Sequence, residues 1–252
     1  MKQLRPTIIQ IGGTKFFNWS KTMKTIGMIG GMSWESSIEY YRIINQTVRQ
    51  KLGGLHSAKS IMVSVEFAEI EALQHQDRWD ELAAIMIDAA RSLERGGADF
   101  VIICTNTMHK LYDEVQNHIK IPMLNIADAT AEKIKKEGID KIALLGTRFT
   151  MVEDFYKGRL VDRFGLDVII PEENEMDIVH RIIYNELCAG IIKPDSKQKY
   201  AAIIKRLIAT GARGIILGCT EIGLLVKPED STVALFDTTE IHAKAAVKYA
   251  LG

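Results

Sequence analysis

The chain has 252 residues, 47% hydrophobic and 25% charged, and its 32 basic and 32 acidic residues cancel to a formal net charge of +0. That balance, with no basic run interleaved with aromatics, excludes a nucleic-acid surface, and no apolar stretch approaches the roughly 20 residues of a membrane helix. Three cysteines, Cys104, Cys188 and Cys219, are too few for a disulfide framework and lack metal-ligand spacing, so a reducing, cytoplasmic setting fits best and no metal site is expected.

Residues 1–22 differ from the rest of the chain. They carry Lys2, Arg5, Lys15 and Lys21 and no acid, and the apolar part, Ile8 to Ile11, is interrupted by Gln10 and followed by Gly12-Gly13. This is too short and polar for a signal peptide. It reads as an N-terminal extension, an upstream start or a loosely held arm, with Met23 directly before the first strand. Strand patterns then fall at 25–29, 60–65, 100–104, 123–125, 141–145, 167–170, 214–217 and 235–236. Helical patterns fall at 35–51, 79–95, 108–118, 127–136, 152–163, 175–189, 197–209 and 238–250. The alternation predicts parallel sheets covered by helices. Glycines at 53–54, 96–97, 138, 190 and 211 punctuate the helix ends.

One segment occurs twice. Gly97-Ala98 leads through an apolar run to Cys104-Thr105-Asn106-Thr107, and Gly211-Ala212 leads in the same way to Gly218-Cys219-Thr220-Glu221. Without gaps, Thr105 lies opposite Cys219 and Cys104 opposite Gly218. A second pair, from Ile26 to Gly31 and from Ile142 to Thr147, recurs at nearly the same offset. Two matches in one order predict a duplicated α/β chain of two doubly wound parallel-sheet halves. The expected division is 23–120 plus 231–252 for one half and 121–230 for the other. Ligands of open parallel sheets bind beyond the carboxyl ends of the strands. Gly30-Gly31-Met32-Ser33, Thr105-Asn106-Thr107, Gly146-Thr147 and Cys219-Thr220-Glu221 all fall there, so two facing sheets would enclose one pocket.

Cys219 precedes what reads as a helix start, where a thiol is expected to be more acidic and more reactive. Neighbours on an extended strand face opposite ways, so Thr105 and Cys104 compete for the pocket. The repeat register selects Thr105, although a turn after Ile103 would select Cys104. Asn106, Thr107, Thr147 and Thr220 offer amides, hydroxyls and helix starts suited to a carboxylate, and the same residues serve as ordinary N-caps. Glu221 either orients a helix end or acts as a base. His109 is a helix residue or a partner of the first cluster, and the other five histidines show no metal pattern. Gly30-Gly31-Met32 lacks dinucleotide-fingerprint spacing.

From Met23 onward these segments resemble the aspartate/glutamate racemase family, which is independent of pyridoxal phosphate. The carriers are Ile29-Gly30-Gly31-Met32, Thr105-Asn106-Thr107-Met108-His109, Gly146-Thr147 with Thr150, and Gly218-Cys219-Thr220-Glu221-Ile222. The longer strings from Gly31 to Ser36 and from Cys104 to Lys110 are similar to a bacterial broad-specificity or aspartate/glutamate subgroup. The resemblance implies two pseudo-symmetric domains with the active site between them and no cofactor. It also implies a small-molecule amino-acid substrate, with Met32, Asn106, Thr107, Thr147, Thr150, Thr220 and Glu221 around it. A homodimer fits the family, with no interface legible in the sequence. Family members place two thiols on opposite faces of the substrate. Here one is Cys219, and the other position falls on Thr105, with Cys104 one place earlier. Aspartate-specific members also carry a Lys where Cys188 stands and an Arg after the second strand, absent in the 67–71 region. Arg148, Arg42 and Lys157 are the candidate replacements for those cations. The expected range therefore includes neutral amino acids such as homoserine. The alternatives are a hydantoin racemase or single-thiol decarboxylase of the same superfamily, and a non-catalytic amino-acid-binding clamp.

Overall fold

The computed structural model describes residues 7–11, 14–18 and 23–252. Strands β1 (Thr7–Ile11) and β2 (Thr14–Asn18) pair antiparallel, Thr7 opposite Asn18. The rest of the expected extension lies outside the described residues.

The first sheet contains β3 (Ile26–Gly30), β4 (Ser60–Ser64), β5 (Phe100–Ile103) and β6 (Met123–Leu124), all parallel, in the order β4-β3-β5-β6. Its helices are α1 (Trp34–Leu52), α2 (Phe67–His75), α3 (Trp79–Arg95) and the short α4 (Tyr112–Gln116), the last preceded by a 3-10 turn, Thr107–Leu111. After α5 (Ile126–Lys136), β7 (Lys141–Gly146) opens the second sheet. It is followed by α6 (Arg148–Val152), α7 (Lys157–Phe164), β8 (Asp167–Ile169), α8 (Glu173–Asn185) and α9 (Pro194–Ala209). Then come β9 (Gly214–Gly218), the one-turn α10 (Ile222–Leu225), β10 (Ala234–Asp237) and α11 (Thr238–Leu251). The second sheet is also parallel and runs β10-β9-β7-β8. Each sheet thus has its first and third strands in the middle, its second strand at one edge and its fourth at the other.

Both faces of each sheet carry helices, so the inner strands read as continuous apolar runs rather than alternating ones. Every residue of β3, β5 and β9 is buried, whereas the edge strand β4 is buried at none of its five. On one face of the first sheet, α1 and α11 supply Tyr40, Ile44, Val48, Ala243 and Val247 against Met28, Phe100 and Ile102. On the other, α3 supplies Leu82, Met86 and Leu93 against Ile29, Val101 and Ile103. In the second sheet Gly146 lies beside Gly218. A Cβ on Gly146 would stand 2.8 Å from the Gly218 carbonyl, and one on Gly218 would stand 2.7 Å from that of Leu145.

Strand pairing departs from the expected division at two places. β6 belongs to the first sheet, with Met123 beside Val101, and β10 to the second, with Ala234 beside Gly214. Each is an edge strand that completes the sheet of the strand before it. The crossings therefore follow Leu124 and Asp237, and only α11 returns to the first half.

Three expected helices are altered. The one at 108–118 is a 3-10 turn followed by α4. The one at 152–163 breaks at extended Glu153, after Thr147 has already started α6 by capping Thr150 N–H. The one at 175–189 starts earlier, at Glu173, and stops at Asn185, so Cys188 sits on a separate turn, Leu187–Ala189. Helix α2 has no counterpart among the expected helices. Its start is capped by Glu66, which accepts from the amides of Ala68 and Glu69. No helix among the described residues is long and apolar enough to cross a membrane.

Candidate active site

The carboxyl ends of β3, β5, β7 and β9 converge on one cleft between the halves. The first half contributes Met32, Phe67, Gln74, Thr105, Asn106 and Thr107. The second contributes Thr147, Ile183, Tyr184, Cys188, Gly218, Cys219 and Glu221. Gly31 turns the chain into it at φ +91°, where a Cβ would lie 2.2 Å from the Val65 carbonyl. The space left is ≈20 Å³, room for about one water. The halves meet at the cleft through Tyr184, whose hydroxyl donates to Gln74 Oε1 at 3.1 Å.

The structure separates Thr105 from Cys104. The Cys104 amide donates to the Ile29 carbonyl at 2.9 Å, so the ladder carries on one residue past β5. Its side chain packs with Tyr40 and Phe100, away from the cleft, and burial pushes the thiol up. Thr105 faces the cleft. His109 fixes its backbone: Nδ1–H donates to the Thr105 carbonyl at 2.8 Å, and Nε2 accepts from the Ile126 amide at 3.2 Å. That pairing requires the neutral ring, and burial lowers its pKa to about 4.

Cys219 is buried at the end of β9, and its thiol donates to Glu221 Oε2 at 2.9 Å. The thiol is less acidic than usual, first through burial and then through the charge of Glu221. This corrects the expectation of a helix-activated thiol. The following helix is a single turn, too short for an aligned dipole to offset desolvation and an adjacent carboxylate.

Asn106 is 2% exposed. The Thr238 hydroxyl donates its only hydrogen to the Leu217 carbonyl at 2.8 Å, so it must accept from Asn106 Nδ2 at 3.1 Å. This fixes the amide orientation and leaves Oδ1 buried without a partner, an acceptor suited to an ammonium. Thr107, Thr147 and Thr150 form a hydroxyl chain across the halves, with steps of 3.0 and 3.1 Å. Thr107 and Thr147 line the cleft, while Thr150 is wholly buried behind them. Thr220 donates to Glu221 Oε2 at 2.7 Å, and its other side lines a separate open cavity of ≈510 Å³ against α1 and α11.

Phe67, Gln74, Ile183, Tyr184 and Gly218 line the cleft without having been expected there as ligands, and Ser33 reaches it by donating to Glu221 Oε1 at 2.9 Å. Among the described residues lining the cleft none is Lys or Arg. Arg148 pairs outside with Glu173 and Asp177, Arg42 with Glu39, and Lys157 does not reach the cleft. Among the described residues, no three His, Cys, Asp or Glu side chains are grouped to hold a metal ion.

The cleft thus lies between two like-ordered parallel sheets, and its lining includes Cys219 from one half and Thr105 from the other. The profile of the Asp/Glu/Hydantoin racemase family matches residues 29–246, and the chain belongs to that family, as an isomerase of the racemase type. It is 29% identical over 171 residues to the broad specificity amino-acid racemase RacX of Bacillus subtilis, covering 67% of this chain and 72% of that one. A crystal structure from Yersinia pestis, assigned to the Asp/Glu racemases, superposes with a TM-score of 0.85 at 55% identity, over 91% of this chain and 100% of that one. An aspartate racemase homologue from Pyrococcus horikoshii OT3 gives 0.79 at 38% identity, over 90% and 99%.

Proposed function

We propose that the protein racemises amino acids, with Cys219 acting on one face of Cα and Thr105 on the other. The observation that carries this reading is the pairing itself. The two side chains come from equivalent strand ends of opposite halves and line one narrow cleft, while Cys104 packs into the core. The backbone amides of Asn106, Thr107, Thr220 and Glu221 would hold the α-carboxylate, and the unpartnered Asn106 Oδ1 would accept from the α-ammonium. Both contacts lower the energy of the carbanion without a cofactor. Cys219 removes the α-proton, and the Thr105 hydroxyl supplies one to the opposite face. A hydroxyl is a far weaker acid than a thiol, so the two directions run at unequal rates.

A lining with Glu221 and no Lys or Arg supports side chains without negative charge, such as homoserine, ahead of aspartate. A cytoplasmic location fits three free cysteines. The test is α-proton exchange in deuterium oxide, followed by NMR, with L- and D-forms of an amino-acid panel. Exchange is expected in the wild type, lost in Cys219→Ala and strongly reduced in Thr105→Ala. Loss in Cys104→Ala with Thr105→Ala intact would overturn the assignment. A strict preference for aspartate or glutamate would refute the neutral-substrate reading. Thr105, standing where family members carry the thiol opposite Cys219, also favours a second reading, a decarboxylase. Release of carbon dioxide in place of D-isomer would establish it.

A further inference from the structure

We propose that His109 is a positioning residue, holding the Thr105 backbone so that the Thr105 hydroxyl stays in the cleft that Cys219 lines. The inference rests on Thr105 being the second acid–base group of the proposed racemase.

Thr105 is the first residue past the sheet. The Cys104 amide is the last to join the ladder, through the Ile29 carbonyl, and the 3-10 turn begins only at Thr107. Among the described residues, the bond from His109 Nδ1–H to its carbonyl at 2.8 Å is the only hydrogen bond that Thr105 makes. Its neighbours are anchored independently, Asn106 by Thr238 and Thr107 by Thr147. The repeat meets the same need in two ways. Laid on the other half, Thr105 falls on Cys219 and His109 on Gly223. There the Cys219 carbonyl accepts from a backbone amide, that of Ile222, at 3.1 Å. The first half has a side chain in place of that amide.

The ring is itself held from several sides. It lies parallel to Tyr112, with centroids 6.2 Å apart, and edge-on to His242 at 5.6 Å. Tyr112 is fixed by donating to the Met123 carbonyl at 2.8 Å, and His242 by donating to that of Leu124 at 3.0 Å. Nε2 accepts from the Ile126 amide, which keeps the ring proton on Nδ1, the nitrogen that meets Thr105. Ile126 opens α5 and packs in the core of the second half. His109 thus refers the position of Thr105 to the half that carries Cys219. A misplacement of about 1 Å costs on the order of 100-fold in rate, and no second hydrogen bond at Thr105 resists one.

The experiment separates the two ends of the ring. His109→Asn puts an amide N–H where Nδ1 stands and abandons Ile126, whereas His109→Gln reaches the Ile126 amide and abandons Thr105. On the best substrate of the exchange panel, His109→Gln is expected to lower the kcat of racemisation about 30-fold with KM within about threefold, because Asn106 and Thr107 keep their own anchors. His109→Asn is expected to keep kcat within about threefold while losing stability in urea, since it leaves the Ile126 amide unpaired. A third arm adds His109→Gln to Thr105→Ala. The residual α-proton exchange is expected to change less than about twofold, because a group that acts through Thr105 has nothing left to act on. A mere brace of the fold would lower that residual rate further. A kcat in His109→Gln within about threefold of wild type overturns the proposal, and so does a further tenfold loss in the double variant. If His109→Gln fails to fold, His109→Asn decides: retained kcat supports the proposal, and a tenfold fall overturns it. Each of these results, with an active wild type, overturns this proposal alone. No exchange by wild type with any amino acid overturns the racemase reading and this proposal with it.

Discussion

Two buried histidines make the fold sensitive to mild acid. His109 and His242 are 3% and 0% exposed, and their rings lie 5.6 Å apart. His109 ties the Thr105 loop to α5. His242 accepts from the Tyr40 hydroxyl at 2.9 Å and donates from Nε2 to the Leu124 carbonyl at 3.0 Å, joining α1, β6 and α11. Burial lowers their pKa values from 6.5 to about 4 and about 3, helped in His242 by the neighbouring His109. A depressed folded-state pKa gives stability that is present above the unfolded value and is lost as pH falls toward the folded one. Between pH 7 and pH 5 the unfolded chain binds nearly one more proton at each site, which removes about 2 kcal/mol per ring and on the order of 4 kcal/mol together. Half-buried His180, also lowered by burial, acts in the same direction. The carboxylates of Asp140, Glu175 and Asp230 are held below their usual range and contribute at lower pH. Urea unfolding at pH 7, 6 and 5 measures the effect. His242→Gln keeps one donor and one acceptor and is expected to remove about half of the pH dependence. A loss under about 1 kcal/mol in wild type, or an unchanged slope in the variant, would refute the reasoning.

The remaining predictions concern the cleft. Cys104→Ala is expected to lower stability by about 1–2 kcal/mol through the cavity beside Tyr40 while leaving kcat within about twofold, measured by urea unfolding and by racemisation. Thr105→Cys places a thiol opposite Cys219 and is expected to raise kcat in the slower direction about tenfold or more, so that the two directions converge in polarimetric progress curves. Cys188→Lys introduces a cation into a lining that has none. It is expected to raise kcat/KM for aspartate relative to homoserine about tenfold, the equivalent of one charge-assisted hydrogen bond. An unchanged ratio would mean that the substrate side chain points elsewhere.

The inner strands are legible because burial on both faces leaves an unbroken apolar run that ends in small or polar residues. At Cys104-Thr105 period-two geometry says only that one of the two side chains reaches the cleft, and the register of the repeat picks Thr105. Other features leave no such trace. Helix α2 has only Ile70 and Leu73 as buried apolar anchors and a Glu as its cap, a residue outside the usual capping set. The acidity of Cys219 depends on its burial and then on where the Glu221 carboxylate folds back, and its position in the sequence suggests the opposite sign. Gln74 and Tyr184 meet only through tertiary packing, 110 residues apart. The boundary between halves differs from the expected one because two-residue β6 and four-residue β10 carry too little pattern to show which sheet they join.

The chain passes between the sheets twice, after Leu124 and after Asp237, and Thr238, the first residue past the second passage, is hydrogen-bonded to Asn106 of the first half and to the Leu217 carbonyl of the second. Two points of attachment define a line, as two hinges define the swing of a door. Turning about that line is the relative motion that the two crossings resist least, whereas sliding or twisting past each other would strain both. The positions of Cys219 and Thr105 relative to each other are thus set by the path of the backbone through both crossings.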